Sequence, residues 1–588
     1  MFLRASHRKK HGKTHTYWSL VENRRLPGGR VVQRHVLYLG EINNSQEHAW
    51  RKTIEVFNDD KSESETLSLF PEDRAPKESD SSIVQIHVDQ ISIHRCRQFG
   101  ACWLASFLYY DLRLDWFWAE RLPTSRKGTR WDLVLQTLVV YRLLAPGSEW
   151  FLHRHWFEST AMADLLAEDF GLVEIHKLYE CLDRLCAHKN ELMLHLKQRW
   201  IDLYNARFEV LLYDLTSTYF ESNPPFPEDQ PLRRHGHSRD KRSDCVQVVI
   251  ALVVTTDGFP VAYEVMKGNT SDKTTLRPFL DQVEQLHGKA RRIWVMDRGI
   301  PTEEVLESMR GQGVQYLVGT PRGRLSALEE QFLALSWQQA RPSVQVKLIQ
   351  EDQELYVLAC SQDRRGKERS MRRRKLKLLI KRLKELQAMK LKRDELLKKL
   401  GAAEADAGRT VRGLVEIEVA EGAVQLKFKL RRDKLRVARR REGQYLLRTN
   451  QVNADPKTLW EQYLQLGRVE EAFRDLKGDL SIRPIYHQLD KRIEAHIFVA
   501  FQAYCLHAHL HRRLKDVALG LSPRSVLEKM AILSMVDVHL PTSDGRKIVL
   551  SRWTEPEAEV QMLLSALRLN LPEQPPPRIT SRQTAAAV

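Results

Sequence analysis

Alternation between apolar and polar positions divides this chain into stretches of different period. HTYWSLVENRR and GRVVQRHVLYLG flank Pro27-Gly28-Gly29, a pattern that predicts two strands joined by a hairpin loop. Residues 1–60 are accordingly expected to form a small β-rich unit, with SQEHAWRKTIEVF as a short helix. Residues 61–83, rich in Asp, Ser, Glu and Pro, predict a linker. From 84 to 206 apolar residues step by three and four, as in FGACWLASFLYYDL, WDLVLQTLVVYRLL and the run from Val173 to Trp200. That spacing predicts a helical domain with Trp103, Trp116, Trp131, Trp150 and Trp156 building its core, and it does not say whether the domain reads DNA.

At residue 208 the period shortens. FEVLLYDLTSTYF predicts a strand ending near Asp214, and DCVQVVIALVVTTDGFPVAYEVMKGN two strands around the Asp257-Gly258 turn. KTTLRPFLDQVEQLHG is a helix, RRIWVMDRG a strand ending at Asp297, and PTEEVLESMRG a second helix with Pro and acids suited to its first turn. GVQYLVGTPRG is a further strand. This succession is an α/β sheet opened by a meander, and no GxGxxG accompanies it. Residues 207–321 thus form the first part of a core. The stretch 322–444 is long enough to be an inserted domain, and 445–515 completes the core. A helical region over 516–571 and a disordered Pro-rich tail over 572–588 are expected to follow.

Within the last part of the core, Leu466, Val469, Phe473, Leu476 and Leu480 make the apolar stripe of one amphipathic helix, ended by Pro484. Tyr463, Glu470 and Lys477 recur every seven residues beside that stripe, Glu470 and Lys477 being about 10 Å apart along the axis. By itself this is also the pattern of a docked helix with a charged margin. In the following helical stretch, His496, His507 and His509 are expected to be satisfied by neighbours, because positions two apart on a helix do not face one side.

With 588 residues, 42% hydrophobic and 29% charged, the chain suits a soluble protein of several domains. It has no apolar run of membrane-spanning length and no signal-peptide core. Seven cysteines without tight metal spacing point to free thiols and a reducing compartment. The net charge of +17 is concentrated in residues 364–399, which hold 17 basic and 4 acidic residues. Nucleic acid is the natural partner of such a tract, and a solvated charged helix has the same composition.

Asp214 and Asp297 end strands, and Glu470 lies on a helix after the sheet. Converging carboxylates repel unless cations neutralise them, and oxygen ligands favour Mg²⁺ or Mn²⁺. With these residues, the blocks YDLTSTYF, GNTSDKTTL, WVMDRG and RPIYH in this order resemble the DDE transposases of bacterial insertion sequences. The resemblance covers roughly residues 1–515 and lies with the IS4-like group, in its IS1634-like branch. The group's signature of Tyr, Arg, Glu and Lys reads here as Tyr463, Leu466 in place of Arg, Glu470 and Lys477.

The resemblance implies an α/β fold: an RNase H-like catalytic core interrupted by an inserted α+β domain, with N-terminal β-rich and helical regions. It implies Asp214, Asp297 and Glu470 as catalytic residues and ligands of two Mg²⁺ ions, with Mn²⁺ as a substitute. Lys477, Tyr463, Arg298 and Arg474 are then expected on the DNA backbone, Arg468 or Arg474 standing in for the missing signature Arg. From its charge, the tract Arg372, Arg373, Arg374 and Lys375 is expected there too. Thr216 and Ser217 are expected to support the site rather than ligate. Trp337 is a candidate for stacking on a base, core packing being the simpler reading. The implied partners are double-stranded DNA at terminal inverted repeats and target DNA, bound by a homodimer, with no membrane. The implied route is cut-and-paste through a hairpin intermediate, in the bacterial cytoplasm and on the nucleoid when DNA is bound. A metal-dependent nuclease without transfer activity and a non-catalytic DNA-binding derivative are the alternatives.

Overall fold

The computed structural model describes residues 2–10, 13–25, 31–40, 66–68, 86–221, 232–288, 292–297, 300–320, 322–389, 391–419, 426–518, 520–543 and 545–580. The expected loop at Pro27-Gly28-Gly29 and the expected helix over 45–57 lie outside them. Two compact units are present. The first comprises Met1–Arg207, Leu215–Thr270 and Arg468–Val588, the second Phe208–Asp214 and Ser271–Gly467.

The first unit opens with a three-stranded antiparallel sheet, Phe2–Lys10, Lys13–Arg25 and Val31–Gly40. Its helical part centres on Asp490–Val517, which is buried at nearly every position from Ile493 to Leu510 and packs on Trp131–Leu144. A helix apolar on all sides belongs inside a core. Trp131 and Trp156 are core residues as expected, but Trp116 is 65% and Trp150 44% exposed. Each lies on the outward side of a short helix, where helical spacing alone does not tell the inner face from the outer.

Two expectations for the C-terminal part are corrected. The region 516–571 is not simply helical: Ser534–Pro541 and Lys547–Trp553 form an antiparallel pair, with Ser92–Gln98 alongside. The Pro-rich tail is not disordered through residue 580. Arg578–Thr580 pairs with Lys547–Val549, and the Gln574 amide is hydrogen-bonded to both backbone groups of Trp553. Composition signalled disorder, but sheet pairing satisfies the backbone that proline leaves unpaired.

The main sheet is built from β1 (Val210–Tyr219), β2 (Gln247–Thr255), β3 (Pro260–Lys267), β4 (Ile293–Met296), β5 (Gln315–Gly319), β6 (Gln338–Arg341), β7 (Val344–Glu351), β8 (Glu354–Ser361) and β9 (Gln444–Thr449). In the second unit the strands run β6-β7-β8-β9-β5-β4-β1, with β5, β4 and β1 parallel and the others antiparallel. β1 continues into the first unit, where β2 and β3 form an antiparallel hairpin. Every residue of β2, QVVIALVVT, is buried, as a Val-rich strand covered on both faces should be. The helices Asp272–His287 and Glu303–Gly311 fall where expected, the second capped by the Thr302 hydroxyl accepting from the Val305 N–H. The result is a mixed α/β architecture consistent with an RNase H-like domain.

The stretch 322–444 divides in two. Its strands β6, β7 and β8 extend the main sheet beside β9. Its basic part forms a helical hairpin, Gln362–Ala388 and Arg393–Ala407, packed with the strand pair Val415–Val419 and Leu426–Leu430 around a separate apolar cluster. Leu379, Leu383, Leu386 and Leu396 supply its centre. Trp337 packs against the cluster of Leu325, Leu328 and Phe332, with the Lys347 ammonium 4.7 Å from its ring centroid.

Candidate active site

In the second unit, β1 and β4 run parallel with Tyr213 opposite Met296. Asp214 and Asp297 are the next residues on those strands, so the two carboxylates start from neighbouring positions on strands about 4.8 Å apart. Tyr213 is buried with its ring on Phe279, and strand alternation turns Asp214 to the opposite face. Asp214 is half-buried; Asp297, just past the end of β4, is exposed.

Asp297 ends its strand as expected, but Asp214 does not: β1 runs on through Thr216, Ser217 and Thr218, all buried, to Tyr219. A polar Thr-Ser-Thr run reads as a loop in sequence, and here pairing within the sheet satisfies its backbone. The Ser217 hydroxyl accepts from the Arg239 N–H at 3.2 Å and so ties the following loop to the strand.

The expected single helix carrying Tyr463, Glu470 and Lys477 is two. Pro456–Leu464 ends at Gln465, whose N–H bonds back only three residues to Gln462, and Leu466–Lys477 follows. Tyr463 belongs to the second unit, with its ring near those of Tyr445 and Trp460. The predicted stripe does face inward: Leu466, Val469, Phe473, Leu476 and Leu480 are all buried. The helix stops before Gly478, six residues ahead of Pro484, and Leu480 and Ile482 hydrogen-bond back to its last turn. Glu470 is exposed on the outer side. Arg468 and Arg474 both pair with Glu471, at 3.1 and 3.0 Å, and Arg474 remains 71% exposed. The Lys477 ammonium lies 2.9 Å from the Asp240 carboxylate. Arg298 lies outside the described residues.

On the basic helix Gln362–Ala388, Arg373 and Arg374 are exposed and Lys375 is half-buried. Arg372 is different: it is buried and ion-paired with Glu442. A run of four basic residues on a helix necessarily turns one of them towards the packed face.

Among the described residues one trio, Glu149, His487 and His496, brings three metal-ligand atoms within 4.8 Å of one another. It lies in the first unit and is a candidate metal-binding site by proximity. His487 Nε2 is 3.1 Å from Glu149 Oε1, and Arg142 Nη2 is 3.4 Å from His496 Nδ1. Burial raises the Glu149 carboxyl, but the His487 hydrogen bond and the neighbouring His487, His496 and Arg142 outweigh it and hold the group down at about 2. Burial, aided by Arg142 and His487, pushes His496 well below the usual imidazole range, which keeps the ring neutral.

His509 is satisfied as expected, between the Tyr204 hydroxyl at 2.6 Å and Asp111 at 2.8 Å, and His507 lies between Asp475 and Asp479. The sequence reading passed over Glu149, His487 and Asp240. Only the density of charge in GHSRDKR, unexplained by any strand or helix, signalled the last of these.

The family model described as Transposase DDE domain matches residues 207–506, just over half of the chain, and the IS1634 family transposase, N-terminal domain matches residues 3–65. No curated protein matches the chain. Among solved structures, the piggyBac transposase synaptic complex with hairpin DNA is similar at a TM-score of 0.33 and 10% identity, over 75% of this chain and 82% of that one. A likeness that loose decides neither fold nor mechanism. Among the described residues no helix is long and apolar enough to cross a membrane. The larger match, with paired aspartates on parallel strands inside it, places the chain among the DDE-domain transposases, enzymes of DNA cleavage and strand transfer, and its N-terminal stretch is similar to that of IS1634 family transposases.

Proposed function

We propose that this transposase acts at the terminal inverted repeats of its own element, with Asp214, Asp297 and Glu470 as the catalytic, metal-binding carboxylates. The neighbouring positions of Asp214 and Asp297 on parallel strands within the DDE match carry this reading. Such a pair fits a hard divalent cation: the donors are all oxygen, and one of them is open to solvent. When bound to these carboxylates, two Mg²⁺ ions, or Mn²⁺, would supply the positive charge needed by the attacking and leaving oxygens of a phosphodiester. The side chains of this chain do the rest. Asp214 and Asp297 offer fixed carboxylates, Glu470 adds a third, and Lys477 binds a backbone phosphate. Tyr463, Arg298 and Arg474 brace the strand nearby.

The helical hairpin with its strand pair is proposed as the insertion of the RNase H-like core, and Arg373, Arg374 and Lys375 as its DNA face. Contacts of this kind position DNA without reading its sequence. Arg372, held by Glu442, shapes the module instead. The proposed assembly is a homodimer on paired element ends and a target duplex, moving the element by cut-and-paste with a hairpin intermediate, in the bacterial cytoplasm on nucleoid DNA.

The test is a duplex carrying the element's own end, incubated with the full chain in Mg²⁺ or EDTA and resolved on a denaturing gel. Metal-dependent nicking at the boundary, lost in Glu470→Gln, is expected. Nicking without joining to target DNA would reduce the enzyme to a nuclease, and binding with no nicking in Mg²⁺ would refute the catalytic reading.

A further inference from the structure

The loop GHSRDKR between β1 and β2 carries a charge cluster that the cleavage chemistry leaves unused. Asp240 lies in it with only 9% of its side chain exposed. Its carboxylate pairs with the Lys477 ammonium at 2.9 Å and with the Arg483 guanidinium, both through Oδ1, while Oδ2 is buried without a hydrogen-bond partner. The loop is anchored to β1 by the Arg239 N–H on the Ser217 hydroxyl and closed on itself by the Arg242 N–H on the Ser238 hydroxyl. Arg483 and Arg242 both stand over the Tyr219 ring, at 5.9 and 4.8 Å from its centroid.

One carboxylate facing Lys477, Arg483 and Arg239 leaves the cluster positive overall. A pair evolved only to close on itself needs one cation, whereas this carboxylate gathers two and leaves both side chains in reach of solvent, 13% exposed for Lys477 and 29% for Arg483. Burial disfavours the charged form of Lys477, as do Arg483 and Arg239, and Asp240 opposes all three.

We propose that Asp240 is a positioning residue that keeps Lys477 and Arg483 together as a two-cation seat for one phosphodiester phosphate of the bound DNA. The proposal rests on the reading of Lys477 as a phosphate contact and adds Arg483 to the contact and Asp240 as its organiser. Removing the carboxylate leaves Lys477 desolvated beside two arginines, so its proton is lost at lower pH and the seat weakens as pH rises.

The experiment measures the affinity of the full chain for an element-end duplex, without divalent metal, across a salt series at pH 7 and pH 9. Lys477→Ala and Arg483→Ala are each expected to lower the affinity on the order of tenfold at 0.1 M salt, and the double variant to lower the salt slope by about one, for the single phosphate of the seat. Asp240→Asn is expected to bind close to wild type at pH 7 and to lose more affinity than wild type by pH 9; Asp240→Glu restores the wild-type profile. A wild-type affinity in Lys477→Ala overturns the underlying reading of Lys477. A lowered affinity in Lys477→Ala with a wild-type pH profile in Asp240→Asn overturns the role of Asp240 alone. Should Asp240→Asn not fold, Arg483→Ala decides: a wild-type affinity there overturns the two-cation seat.

Discussion

Asp214 and Asp297 start from adjacent positions on parallel strands, and Asp297 is open to solvent; Glu149, His487 and His496 are each less than a tenth exposed. By proximity alone the second group is the better metal site. The difference lies in donor type and exposure. Glu149 is buried and hydrogen-bonded to His487, and two of the trio's three donors are imidazole nitrogens. The aspartate pair offers oxygen donors alone, one of them open to solvent, as a hard divalent cation prefers. The buried trio ties the segment after the Leu466–Lys477 helix to the helical core, while the open pair offers the donors proposed for the catalytic cation.

Breaking either side of this contrast should give different losses. The largest is in rate: Asp214→Asn or Asp297→Asn should reduce end cleavage on the order of 10³-fold or more, with DNA affinity measured by gel shift nearly unchanged. Loss of both together would remove the catalytic assignment. Next in size, Glu149→Gln should cost about 3 kcal/mol of stability in urea unfolding, because it leaves buried partners unanswered. Cleavage at low temperature by the folded fraction should keep its Mg²⁺ dependence; a fully stable but inactive Glu149→Gln would instead make the trio a functional metal centre.

The same residue predicts a pH limb. Its carboxyl lies at about 2 when folded against an ordinary value of 4.5, so its contribution is complete above about 4.5 and is lost as pH falls towards 2. The urea midpoint of the wild type should fall over that window more steeply than that of Glu149→Gln. A smaller effect concerns DNA association: Arg373→Glu with Arg374→Glu should lower the salt slope of binding by about two, whereas Arg372→Ala should reduce stability and leave that slope alone. An unchanged slope in the first variant would strip the helical hairpin of its DNA face.

Much of this was legible in the residues. The strand and helix succession from 208 to 320 follows directly from the change of period, and the stripe Leu466, Val469, Phe473, Leu476 marks its buried face without ambiguity. What escaped has local causes. The continuation of β1 past Asp214 depends on sheet partners that satisfy Thr216 to Thr218, and the break at Gln465 has only Gly467, two residues on, to announce it. Asp240 and Lys477 are 237 positions apart, and Glu149 and His487 are 338 apart; pairings of that span are set by the fold and not by any local pattern.

The central claim is that the aspartate pair, not the buried trio, holds the catalytic cation. Asp297→Cys tests it most directly, because a thiolate binds Mn²⁺ more readily than it binds the harder Mg²⁺. End cleavage by this variant should be lost in Mg²⁺ and recovered in Mn²⁺, with a matched Glu149→Cys variant showing no such recovery. Equal activity of Asp297→Cys in the two metals, or recovery by Mn²⁺ confined to Glu149→Cys, would contradict it.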